Sequence, residues 1–120
     1  MATISLIGIV STPEQWARGL QGVPKLDPGT GMLFVYPTPR MVHFWMFNTL
    51  VPLDIIFVDG SGIVTRIAEN LQPHDLNQVS SESECQFALE VPAGTAAAAG
   101  ILPGMRMIAP PDMGVVDFIS

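Results

Sequence analysis

LDIIFVDGSGIVTRIAE, Leu53 to Glu69, is the stretch from which the fold can be read. Leu53 to Val58 is short, rich in Ile, Val and Phe, and preceded by Pro52, the pattern of a strand. Asp59-Gly60-Ser61-Gly62 then places small turn residues between two β-branched runs, the clearest hairpin signal in the chain. IVTRIAE is the returning strand. Side chains alternate along a strand, so Asp54, Ile56 and Val58 share one face while Ile55 and Phe57 share the other.

The same kind of unit recurs on both sides. Upstream, TISLIGIV (Thr3 to Val10), MLFVY (Met32 to Tyr36) and Met41 to Met46 read as strands, with Val23 to Gly31 as a Pro- and Gly-rich loop and Pro37 to Arg40 as a turn. Between the first two lies a helix start. Thr12 caps, Pro13 suits the first helical position, Glu14 meets the positive end of the dipole, and Gln15 completes a capping box. Trp16 and Leu20 then share a helix face, and Gly22 ends the helix. Downstream, Gln72 to Glu84 is a polar loop and Gln86 to Val91 a strand. Gly94 to Gly100 is a short helix capped by Thr95, and Met105 to Ala109 is a last core strand. Pro110-Pro111 breaks that strand, and the tail GVVDFIS is apolar enough to pack, to pair along an edge, or to support weak self-association.

These elements predict an α+β chain that is mainly β, a small antiparallel barrel-like or strongly curled sheet with two short helices. Long helices between parallel strands are missing, which argues against a doubly wound sheet. At 120 residues, one domain is expected over 1–120, with its core at about 3–109 and the tail at 110–120.

Composition narrows the function classes. Eleven acids against five bases give a net charge of −6, and Arg18, Lys25, Arg40, Arg66 and Arg106 are dispersed. That is not the footprint of a nucleic-acid or anionic-membrane binder. No apolar run reaches the length of a membrane span. The lone Cys85 leaves no internal disulfide. The opening residues lack a basic n-region, so the chain as written reads as cytoplasmic, or as periplasmic or secreted if an export signal has been removed.

Five segments together carry a resemblance: TPEQWARGLQG (12–22), GMLFVYP (31–37), FWMFNTLVPLDIIFVDGSGIV (44–64), ENLQP (69–73) and ALEVPAGTAAAAGILPGMRM (88–107). The chain resembles the DUF192 family, also called UPF0127, over about residues 3–109. The combination of FWM-x-NT-x-x-PLDIIF with LE-x-PAGTA makes the likeness specific. The resemblance implies a compact domain dominated by β-structure, no established biochemical activity, and an envelope location for the many members with export leaders. The sequence departs from the family pattern at Phe47, where a lysine is usual, and at His74, where a cysteine is frequent.

FWMFNTLVPLD, Phe44 to Asp54, sets polar Asn48, Thr49 and Asp54 into the most hydrophobic part of the chain. Glu90 sits likewise inside FALEV. Carboxylates among apolar strand residues need partners or a raised pKa. On a structural account Asn48 and Asp54 tie down amides around the Pro52 turn, with Arg18 or another base pairing a carboxylate. On a functional account these groups meet in a polar-aromatic cleft. Its candidate ligand-binding residues are Arg18, Arg40, Trp45, Phe47, Asn48, Thr49, Asp54, Glu90 and Thr95. Thr95 enters because a helix N-terminus attracts anions.

No metal is expected, since His43, His74, Asp75 and Cys85 lack ligand spacing, and no cofactor, since GTAAAAG lacks both the P-loop and the dinucleotide pattern. Two functional readings follow. The first is a non-enzymatic module that binds a small molecule or a protein through the FWMFNT-x-x-PLD region. The alternative is a small hydrolase-like enzyme using Asp54 and Glu90 as acid and base, which requires their carboxyl groups to lie within about 5–10 Å of each other.

Overall fold

The computed structural model describes residues 2–110 and 114–120. Its elements in chain order are β1 (Ala2–Val10), α1 (Pro13–Arg18), β2 (Thr30–Arg40), β3 (His43–Phe44), β4 (Leu53–Val58), β5 (Val64–Leu71), β6 (Val79–Ser80), β7 (Cys85–Pro92), α2 (Thr95–Ala99), β8 (Arg106–Ile108) and β9 (Val115–Ile119). The DGSG turn closes as its composition predicts. Asp59 Oδ1 accepts from the amides of Ser61 at 2.9 Å and Ile63 at 3.0 Å, an Asx arrangement that fixes the hairpin register. β4 and β5 pair antiparallel beyond it.

Seven strands form one curled sheet in the order β5-β4-β7-β2-β1-β9-β8, a half-barrel. All neighbours are antiparallel except β1 and β2, which run parallel on either side of α1. The outer strands approach each other at one end. Ile63 bridges Arg106, and Val64 N–H donates to Met105 O at 2.8 Å. Paired β3 and β6 form a separate ribbon.

Both faces of the central strands are covered, which is why LDIIFV is buried along its whole length. Ile56, Val58, Leu89 and Val91 pack with Ile4, Leu33, Val116, Phe118 and Ala96 of α2. Ile55, Phe57 and Ala88 pack on the other side with Phe34, Tyr36, Val42 and Cys85, against which Trp16 and Phe44 lie partly buried. The alternation predicted from the sequence thus sorts this strand correctly.

Several boundaries differ from the sequence reading. α1 ends at Arg18, with Gly19 at φ 48° as the cap, rather than at Gly22. β2 runs through Pro37–Arg40, because a register shift after Val35 lets the strand absorb both prolines before Arg40 pairs with Cys85. Met41–Met46 shrinks to His43–Phe44, since only those residues find partners, at Ser80 and Val79 in the polar loop. Gly94, not Thr95, is the N-cap of α2, and no side chain at that position bonds the helix. The tail does not lie along an edge. β9 pairs with β1 on one side and β8 on the other, and Val116 and Phe118 are fully buried, so its backbone is not free to pair with a second copy.

Candidate functional site

Glu90 is the starting point. On β7 it stands opposite Ile55 of β4 and Met32 of β2, so the strand alternation turns its side chain to the α1 side of the sheet. The residue is buried, and its Oε1 has no hydrogen-bond partner. Burial alone pushes its carboxyl up to about 8 from an ordinary 4.5. At neutral pH it is therefore mostly a neutral acid, able to donate as well as accept.

This carboxyl lies in the lining of a cleft of about 350 Å³. α1 and the turn after it supply Trp16, Arg18 and Gly19; β2 supplies Phe34, Tyr36 and Arg40; the segment around β3 supplies His43, Phe44 and Trp45; Thr49 completes it. Gly19 allows the close approach. A Cβ there would stand 3.2 Å from the Phe34 ring and 3.6 Å from Glu90 Oε1, on a backbone with positive φ. Trp16 is anchored by its indole N–H, which donates to Val35 O at 3.1 Å, and its ring meets Tyr36 at 4.8 Å between centroids. The Arg40 guanidinium lies 5.4 Å from the Trp16 ring and 5.6 Å from the Tyr36 ring, a cation–π arrangement. Burial, then the nearby Cys85 and Glu90, raise the Tyr36 hydroxyl well above its usual range, opposed by Arg40, so Tyr36 stays a neutral phenol.

Of the residues singled out in the sequence, Arg18, Arg40, Trp45, Thr49 and Glu90 line this cleft. Phe47 adjoins it, stacked on exposed Trp45 with centroids 5.0 Å apart. Asn48 faces a neighbouring depression shared with Arg18, Gln21, Gly22 and Leu50. Asn48 adopts φ 51°, and its carbonyl accepts from Gly22 N–H at 2.9 Å, tying its loop to the turn after α1. Thr49 is buried and its hydroxyl donates to Phe47 O at 3.3 Å. Arg18 forms no ion pair with a described carboxylate, so its expected pairing is not present.

Asp54 does not join the cleft. Its cross-strand partner is Val91, one residue on from Glu90, so the two carboxylates project from opposite faces of the sheet. Asp54 is fully buried and satisfied: Oδ1 accepts from Asn70 N–H at 2.9 Å, and Oδ2 from Gly94 and Ala96 N–H, both at 3.1 Å. It fastens amides, as the structural account expected, but those of β5 and α2 rather than the Pro52 turn. Thr95 begins α2 on this same side and is no part of the cleft. An acid–base pair of Asp54 and Glu90 is therefore not available. Among the described residues no group of three or more His, Cys, Asp or Glu side chains converges. Cys85 is buried, and burial raises its thiol, with Ser81 opposing.

The sequence reading gave Trp16 only a helix face shared with Leu20, and Tyr36 only the end of a strand. The start of α1 was legible but its early end at Arg18 was not, so nothing in the sequence signalled that Trp16, partly buried and bonded to Val35 O, lines the cleft.

The DUF192 profile, described as an uncharacterized ACR, matches residues 3–109. This chain belongs to the DUF192 family. No curated protein matches it. A protein of unknown function from Novosphingobium aromaticivorans DSM 12444 is similar at 38% identity and TM-score 0.78, over 80% of this chain and 69% of that one. A proposed transcription regulator from Sinorhizobium meliloti 1021 is similar at 32% identity and TM-score 0.81, over 92% of this chain and 78% of that one. Phe47 and His74 both fall close to the cleft. Phe47 stacks on Trp45, and His74, at φ 64°, donates its amide to Met46 O at 3.1 Å and Thr49 O at 3.3 Å.

Proposed function

We propose that this DUF192 protein is a non-enzymatic binding module that takes a small molecule into the cleft above Glu90. The observation that carries the reading is the buried Glu90 Oε1 without a hydrogen-bond partner. Leaving a buried polar atom unpaired costs about 1–3 kcal/mol, and a partner arriving from solvent recovers that energy. Aromatic walls around a few convergent polar groups are the usual make-up of a small-molecule site, and about 350 Å³ is of the right size. The alternative hydrolase reading loses its acid–base pair to the opposite placement of Asp54 and Glu90. The regulator description of the Sinorhizobium relative does not carry over as DNA binding, because five bases in a chain of net charge −6 offer little to the long run of phosphates in a nucleic-acid backbone.

The protein provides its own probe. Its two tryptophans, Trp16 and Trp45, both line the cleft. A metabolite library screened by tryptophan emission and thermal midpoint is expected to yield compounds that change both. Trp45→Ala, at a half-exposed position, is expected to weaken those compounds at least tenfold without lowering the unliganded midpoint. Compounds that act equally on wild type and Trp45→Ala, or a library that leaves emission unchanged, would remove the cleft as the site.

A further inference from the structure

The chain is acidic, yet its basic residues are not used alike. Lys25 pairs with Asp27 at 3.3 Å, Arg66 with Glu82 at 3.0 Å, and Arg106 donates to Ser61 O at 3.3 Å. Arg18 and Arg40 have no carboxylate partner among the described residues, and both stand on the cleft. Arg40 is held over the rings of Trp16 and Tyr36, a contact that does not use its N–H groups. The cleft therefore has two chemically distinct parts. One is a pair of exposed, unspent guanidiniums, suited to carboxylate or phosphate oxygens. The other is the buried, unpartnered carboxyl of Glu90 beside Phe34. Arg40 lies over Trp16 and Tyr36, and Glu90 lies beside Phe34.

Resting on the binding reading above, we infer that the ligand is a ring compound with an oxyanion at one end, held by Arg18 and Arg40, and an uncharged hydrogen-bonding group at the other, met by Glu90. A ring face packs against Trp16, Trp45 and Phe44. A cationic end group would be repelled by the two guanidiniums on the cleft. An anion carried down to Glu90 would lose its hydration in the buried part of the cleft. Both aromatic acids and sugar acids have this chemistry, since either ring offers a face for stacking.

The test is a charge series on one ring. Binding of 4-hydroxybenzoate, 4-hydroxybenzamide and tyramine is measured by calorimetry with the intact chain, alongside glucuronate and glucose. At least one acid is expected to bind tenfold or more tightly than its neutral counterpart, a difference of about 1.4 kcal/mol. The benzoate and glucuronate arms tell an aromatic acid from a sugar acid. Arg18→Gln and Arg40→Gln, both at exposed positions, are expected to erase that preference while leaving the thermal midpoint near wild type. If neutral compounds or tyramine bind at least as well as the acids, the oxyanion assignment falls and the binding module stands. If no ring compound of any charge binds, the assignment also falls. The library screen alone then decides the broader reading.

Discussion

Glu90 shows how one residue can be placed by folding at a cost to the fold. Its carboxyl is raised to about 8 by burial, above the ordinary 4.5 it would have in the unfolded chain. The folded state thus holds this proton more tightly. Below pH 4.5 the carboxyl is neutral in both states and carries no penalty; between 4.5 and 8 stability is progressively lost; above 8 the loss is complete. The size implied is on the order of 5 kcal/mol. Glu90→Gln is expected to be more stable than wild type at pH 8.5 and close to it at pH 4, measured by urea unfolding of both proteins side by side. The comparison between them cancels the slope from the other acids. A buried carboxyl within FALEV was legible in the sequence. Arg18, Arg40, Trp45 and Thr49 were grouped with it in the sequence, but Trp16 and Tyr36 were not, because they come from separate segments that only the fold brings beside Glu90.

Between elements, Asp54 does the joining. From β4 it accepts three amides, one at the end of β5 and two at the start of α2. This explains why α2 needs no cap of its own and why Gly94 suffices where Thr95 was expected. A carboxylate that far along the chain leaves no local trace for a capping rule to detect. Asp54→Ala would strand these donors and is expected to destabilise the protein by about 3 kcal/mol or more, measured by denaturant titration. Ligand-induced change in tryptophan emission should persist in the folded fraction, since Asp54 lies across the sheet from the cleft. Strand β4 and its hairpin were readable because period, turn residues and burial agree. β3 was read too long and β6 was missed within the polar loop, since each is two residues long and is defined only by the other.

Across the molecule, the last strand is as integral as the first. β9 lies between β1 and β8 and contributes Val116 and Phe118 to the core. Phe118→Ala is expected to lower stability by about 3–5 kcal/mol, read from the urea midpoint at unchanged slope. Tail apolarity alone could not distinguish a strand inside the sheet from one at its rim, because GVVDFIS suits either. The meeting of the two outer strands near Ile63 and Arg106 carries a consequence for the protein among its neighbours. Main-chain donors and acceptors there are already spent on each other, as in the bond from Met107 N–H to Gly62 O at 2.8 Å. Another polypeptide arriving at this seam finds no template to extend. Crowded solutions of the protein are therefore guarded at this point against the edge-on stacking that seeds fibrils, and any molecule that docks there must do so through side chains.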